Sequence, residues 1–305
     1  MLNSQIHSEH SSTSIRLKKF GLALGASHLF LSRADQLIFL CGANMSIGVP
    51  SARRAAIKKF IESLQYRVLY AEAVFNELVV SGHQRKNVLD LEHEISAIAD
   101  KIVIVLESQS AFCELGAFAH PQLRKKLIVI NDSNFRTHDS FVNTGPLAAM
   151  AEVKAPVLWY PMTSDGVTLL DGIGSTFNDL KAAIFQRPAG GSARVTENVS
   201  DLSATKASLY FVHDLVLFTG PVKYDELITV LIAMFGKKPY DMLKKLLGVL
   251  RSADLVDVSE DIDKTRIYKT RSRQPYLNYN VDIRALTAAF RTYHLKHNAN
   301  RFANG

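Results

Sequence analysis

Three glutamates stand where a sheet-based enzyme would hold reacting carboxylates, and they are the catalytic candidates. Glu114 lies in Ser110-Ala-Phe-Cys-Glu-Leu-Gly-Ala117, just after the most apolar run of the chain. The pattern predicts that it falls in the first turn of a helix, where the positive helix end favours an ionised carboxylate. Gly116 would let another backbone or a ligand approach closely. A carboxylate at the mouth of a parallel sheet suits a nucleophile that captures the anomeric carbon of a sugar, as in retaining glycosyl chemistry. Glu92 precedes Asp100 on a helix leading into that run, and Glu107 closes it. Such neighbours orient sugar hydroxyls or carry protons. On residue type alone, all three also fit as solvated or helix-capping acids.

The elements that must position these residues are read from hydrophobic period. Apolar runs at 36–41, 67–70, 101–106, 126–130 and 157–160 predict strands, and amphipathic stretches at 51–64, 88–99, 112–119 and 175–186 predict helices. Unbroken apolar strands alternating with helices argue for an α/β fold, a Rossmann-like (flavodoxin-like) parallel sheet with helices on both faces. Ligands of such sheets bind beyond the carboxyl ends of the strands. That rule selects Gly42, Asn44, Tyr70, Ser108 and Ser110 as substrate-binding candidates, and Asn143 joins them as an amide donor for an anionic substrate. Arg53 would add a cation, and in helix 51–64 Arg53 and Arg54 are expected to point outward with Lys58 and Lys59.

The predicted organisation is an N-terminal helical extension over 1–35, the α/β domain over 36–187, a Gly-containing linker over 188–205 and a C-terminal domain over 206–275, with a tail over 276–305. In the extension, Arg16, Lys18 and Lys19 precede an apolar run that imitates a signal peptide. His28 and Ser32 interrupt it, and 14–31 reads instead as an amphipathic helix. In the C-terminal domain, helical stretches at 206–218, 224–235 and 239–252 precede strands at 254–258 and 265–269. Three helices and a hairpin outline a winged helix-turn-helix. Residues 201–305 hold 16 basic against 11 acidic residues, +5 of the formal net charge of +7. Lys237, Lys238, Lys244, Lys245, Arg251, Arg266 and Lys269 are the candidate contacts to nucleic acid or a partner.

Several classes lack their parts. No GxGxxG, P-loop, HExxH, GxSxG or CxxC occurs. Two cysteines, Cys41 and Cys113, exclude a disulfide scaffold and a Cys-rich zinc site, and point to a reducing, cytoplasmic setting. The histidines lack ligand spacing, so no metal is expected. No run is long enough to span a bilayer, so no membrane role is expected.

Beyond these physical readings, Phe39-Leu-Cys-Gly42, the Glu92…Asp100 spacing, Glu114-Leu-Gly-Ala-Phe118, Arg124-Lys-Lys-Leu-Ile128 and Phe141-Val-Asn-Thr-Gly-Pro146 resemble the nucleoside 2-deoxyribosyltransferase family. They are more similar still to the effectors of type II-A bacterial retrons, which join such a domain to a winged helix. The resemblance covers roughly residues 37–150 by motif and 206–270 by architecture. It implies that Glu114 attacks the anomeric carbon and that Glu92 stands at a sugar-contacting aspartate of the family. Ser108, next to Glu107, stands at a second. These departures, with the resemblance to retron effectors, imply N-glycoside hydrolysis, with NAD or a related nucleotide as substrate and no cofactor. They also imply a toxic anti-phage effector held inactive by the retron reverse transcriptase and its msDNA, an RNA–DNA hybrid, and assembled as a homo-oligomer. The alternatives are a metabolic deoxyribosyltransferase or nucleotide N-glycosidase, and a nucleotide-sensing DNA-binding regulator.

Overall fold

A computed structural model describes residues 6, 11–26, 29–80, 87–162, 172–185, 195, 198–261, 263–279 and 281–303. The chain divides into two compact units, one formed by Asp35–Pro188 and the other by Met1–Ala34 with Ala189–Gly305.

The first unit is built on a five-stranded parallel sheet of β1 (Leu37–Cys41), β2 (Arg67–Leu69), β3 (Lys101–Val105), β4 (Leu127–Asp132) and β5 (Val157–Tyr160). Its order is β2-β1-β3-β4-β5, every neighbouring pair parallel. The strands are Ile- and Val-rich, as sheets covered on both faces require. On one face Ile38, Leu40, Val103, Val105, Ile128 and Ile130 form a core with Ile57 and Ile61 of α1 (Ala52–Ser63). On the other, Phe39 meets Phe118 of α4 (Gln109–Phe118) at 6.0 Å, beside α3 (Val88–Ile98). Helix α2 (Ala71–Val80) follows β2, and a small hairpin of Asn44–Ser46 and Val49–Pro50 follows β1. Neither was expected. Short α5 (Ala148–Glu152) and α6 (Phe177–Ile184) complete the unit. Each key helix starts on a side-chain cap, Ser51 for α1, Asn87 for α3 and Ser108 for α4, satisfying N–H groups that would otherwise be orphaned.

In the second unit, α7 (Lys206–Thr219), α8 (Tyr224–Phe235) and α9 (Met242–Ser252) precede β6 (Val256–Glu260) and β7 (Arg266–Thr270). These two strands pair antiparallel, and β7 also pairs with the short strand Val222–Lys223. The N-terminal helix runs over Ser12–Ala26 and not to residue 31, because Phe30–Leu31 pairs as a strand with Leu277–Asn278. Its Phe20 packs against Phe218 and Tyr279, so the extension belongs to this unit's core. The tail does too: Tyr276 stacks on Tyr210 at 4.2 Å, and Phe290 of α10 (Ile283–His297) is fully buried. Of the expected linker 188–205, residues 188–194 and 196–197 lie outside the described residues, while Val195 and Val199 are buried.

Candidate active site

The strand order reverses between β1 and β3, and the ends of such strands part to leave a crevice there. A cleft of about 630 Å³ opens at that point, lined by Cys41, Gly42, Asn44, Arg54, Glu72, Glu92, Ser108, Ser110 and Glu114, among others. Three carboxylates therefore share one hollow, and each has a different environment.

Glu114 is the sixth residue of α4, past the first turn in which it was expected. The helix end reaches only that turn, so it does not hold the carboxylate ionised. Burial, followed by the charge of Glu92, instead raises its pKa to about 8. A hydrogen bond with Cys41 acts in the opposite sense, and Oε2 is buried with no protein partner. Burial and then Glu72 raise Glu92 to about 7. Burial alone would raise Glu72 as well, yet the hydrogen bond and charge of Arg54 leave it below its ordinary value. The Cys41 thiol is pushed well up by burial and by Glu114, so it is no thiolate nucleophile. Cys113 is exposed.

Arg54 organises the rim. Far from pointing outward, it is 2% exposed, because residues 54, 57 and 61 share the buried stripe of α1. Its guanidinium donates to Leu40 O at 3.0 Å, Gly42 O at 3.2 Å, Asn44 Oδ1 at 2.7 Å and Glu72 Oε1 at 2.9 Å. It also lies over the Tyr70 ring, 4.6 Å from the centroid. Gly42 has φ +147°, and an added Cβ would press on Arg54 Cγ and Cδ at 3.0 Å. A glycine is thus required where β1 gives way to the loop.

The other expected residues divide. Asn44 donates to Glu72 at 2.8 Å, and Ser108 caps α4 while bonding Ser110 at 2.9 Å; all three line the cleft. Glu107 does not. Its carboxylate accepts from Ser51 Oγ at 2.5 Å, Ala43 N at 3.2 Å and Arg53 at 3.2 Å, which fastens the β1 loop to α1. Asn143 is also elsewhere, donating to the carbonyls of Phe135 and His138. Tyr70 supports Arg54 and does not face the cleft. No other part of the protein closes on Gly116, since a Cβ there would meet nothing within 4 Å. Glu72 and Arg54 were not singled out, although the 54/57/61 spacing carried the signal for Arg54.

The candidate cations lie in the other unit. Lys237, Arg251 and Lys269 are exposed, and Arg266 and Lys245 are half-buried. Lys238 pairs with Asp201 at 2.5 Å, and Lys244 sits 4.7 Å above the Tyr224 ring. Among the described residues, no group of three or more His, Cys, Asp or Glu could hold a metal ion, and no helix is long and apolar enough to cross a membrane.

An α/β unit with a carboxylate-lined cleft, coupled to a helical unit with a three-stranded sheet, is the class that these features define. The chain belongs to the family described as STM3845 retron effector protein, whose model matches residues 50–258. It is 34% identical over 279 residues, 87% of each chain, to the "Retron Ec73 putative ribosyltransferase/DNA-binding protein" of Escherichia coli. The "Retron Ec86 putative ribosyltransferase/DNA-binding protein" of Escherichia coli is 34% identical over 112 residues, 36% of each chain.

Proposed function

We propose that the first unit hydrolyses the N-glycosidic bond of NAD or a related nucleotide, with Glu114 as nucleophile. The observation that carries this reading is the unpartnered, buried Oε2 of Glu114 in a cleft shared with Glu92 and Glu72. A buried polar atom without a partner is costly, and a catalytic role is one reason for a fold to keep one. The ionised carboxylate attacks C1′ as the C1′–N bond breaks, and the bonding electrons leave with the base. In NAD the nicotinamide nitrogen starts positively charged, so the base leaves neutral without needing a proton. The same positive charge favours carboxylates facing it, offsetting the burial that keeps Glu114 protonated in the free protein. Water then attacks C1′, its proton passes to Glu92, and the ester bond to Glu114 breaks.

The second unit is read as a winged helix that binds nucleic acid, supported by its three helices followed by a hairpin and by the relatives described as DNA-binding. As a retron effector, the chain would be restrained by the reverse transcriptase bound to msDNA. Met45 and Ile47, exposed on the hairpin at the cleft rim, support packing of a second copy there.

The test is nicotinamide release from NAD by the purified full chain, with deoxynucleosides as parallel substrates. Glu114→Gln is expected to lose at least about 1,000-fold in rate, the scale on which an essential nucleophile acts, while retaining its fold by circular dichroism. An active Glu114→Gln variant would remove Glu114 from the chemistry. Base exchange on deoxynucleosides without NAD cleavage would favour the transferase.

A further inference from the structure

The second unit holds a cleft of about 790 Å³ lined by Lys269, Arg271 and Arg273 on and just beyond β7, and by Arg291, Leu295 and Phe302 of the C-terminal helices. Arg271 is neutralised by Asp254 and Asp257. Lys269, Arg273 and Arg291 are exposed, and among the described residues their side chains have no hydrogen-bond or ion-pair partner. Arg291 and Leu295 are four residues apart and share one face of α10, where Leu295 is left 61% exposed. Free cations beside uncovered apolar side chains, in one hollow, describe a site for a ligand with both a phosphate and a flat apolar group.

We infer that this cleft receives a single-stranded segment of nucleic acid, its phosphates on Lys269, Arg273 and Arg291 and a base against Leu295 and Phe302. The inference rests on the reading of this unit as a nucleic-acid-binding module and assigns it a different face from the lysines of α9. Two of the α9-region lysines are already engaged, Lys238 with Asp201 and Lys244 with Tyr224. The hairpin tip carries Asp261 and Asp263, both tied to Lys223, and presents carboxylates to any duplex it approached. A cleft of this volume suits a nucleotide-sized group. Only an unpaired base can turn into it, since the bases of a duplex are stacked inside the helix. Aromatic and apolar platforms beside a cationic groove are the usual means of gripping a single strand without reading its sequence.

The experiment is fluorescence anisotropy of the full chain with a labelled strand of about 15 nucleotides, a length within the usual span of single-strand sites, alone and annealed to its complement. Wild type is expected to prefer the single strand, and Arg273→Glu/Arg291→Glu to bind it about tenfold or more weakly, the scale of two lost phosphate contacts. Leu295→Ser should weaken it about fivefold or more through the base. Lys237→Glu/Lys245→Glu should change it less than about twofold if α9 does not track the backbone. All five positions lie on the surface or near it, and a melting curve of each variant verifies the fold. Loss of binding in the α9 variant with none in the cleft variant would overturn the cleft while leaving the nucleic-acid module standing. Preference for the duplex would overturn it in the same way. No binding of either probe by wild type would remove the module reading itself.

Discussion

At the scale of single residues, the cleft is a set of carboxylates whose ionisation is separated by their surroundings. Arg54 keeps Glu72 charged, whereas burial carries Glu92 to about 7 and Glu114 to about 8. Glu92 and Glu114 interact, so the pair sheds its protons in two steps that belong to both residues. A nucleophilic carboxylate must be ionised, so kcat/KM for NAD should rise as pH increases through about 7 to 8 and then level off, because the leaving nicotinamide needs no acid. A neutral purine base would need protonation, and a deoxynucleoside should give a bell-shaped profile instead. The same shifts bear on stability. Both folded pKa values lie above the ordinary carboxylate value, so the folded state binds the extra protons. Its advantage is complete below about pH 4.5 and is lost as pH rises through 7 to 8. Glu114→Gln should therefore raise Tm relative to wild type at pH 8.5 by several degrees, and by much less at pH 5.5, measured by differential scanning fluorimetry. An equal shift at both values would mean that Glu114 is ionised throughout the range.

At the scale of elements, glycine marks two positions with opposite meaning. Gly21 of the N-terminal helix lies against the backbone of Met234 in α8, where an added Cβ would sit 2.5 Å from the carbonyl oxygen. Backbone cannot swing away as a side chain can, so Gly21→Ala should cost about 1–3 kcal/mol as the helices are forced apart. Gly116 of α4 has open space around its Cα, and Gly116→Ala should stabilise the helix by up to about 1 kcal/mol. Chemical denaturation of the two variants would measure these opposite signs. The strands and most helices of the first unit were legible in the sequence because fully apolar runs such as Ile102–Val105 have few other places to go. The hairpin after β1 was not, since its alternating Met45, Ile47 and Val49 are exposed and form no buried apolar run of the kind that marks the other strands. Helix α2 was missed because its ten residues follow β2 with only Tyr70 between them. Glu114 and Glu92 were recognisable from their place beside the central strand. The role of Glu107 was not, because an acid that fastens a loop and an acid that meets a substrate have the same spacing. Only the hydrogen bonds to Ala43, Ser51 and Arg53 separate them.

At the scale of the whole molecule, the two units differ in the charge they use. The carboxylate cleft belongs to Asp35–Pro188, and most of the net positive charge belongs to the last third of the chain. The family model crosses from one unit into the other, and the Ec73 relative aligns over 87% of each chain, so the pairing of units is a shared property. Salt should separate their activities. If Lys269, Arg273 and Arg291 each neutralise one phosphate of a single strand, log K should fall with log salt at a slope of about −2, or roughly 20-fold between 50 and 200 mM. The proposed hydrolysis of NAD in the first unit would depend on buried carboxylates and a small substrate, which salt screens far less, and should change by less than about twofold over that range. Anisotropy titrations and nicotinamide release, run on one preparation in the same buffers, would measure both. A much steeper slope would mean that a longer basic surface than the cleft tracks the strand. A fall in hydrolysis parallel to the fall in binding would mean that the chemistry in the first unit depends on nucleic acid held by the second.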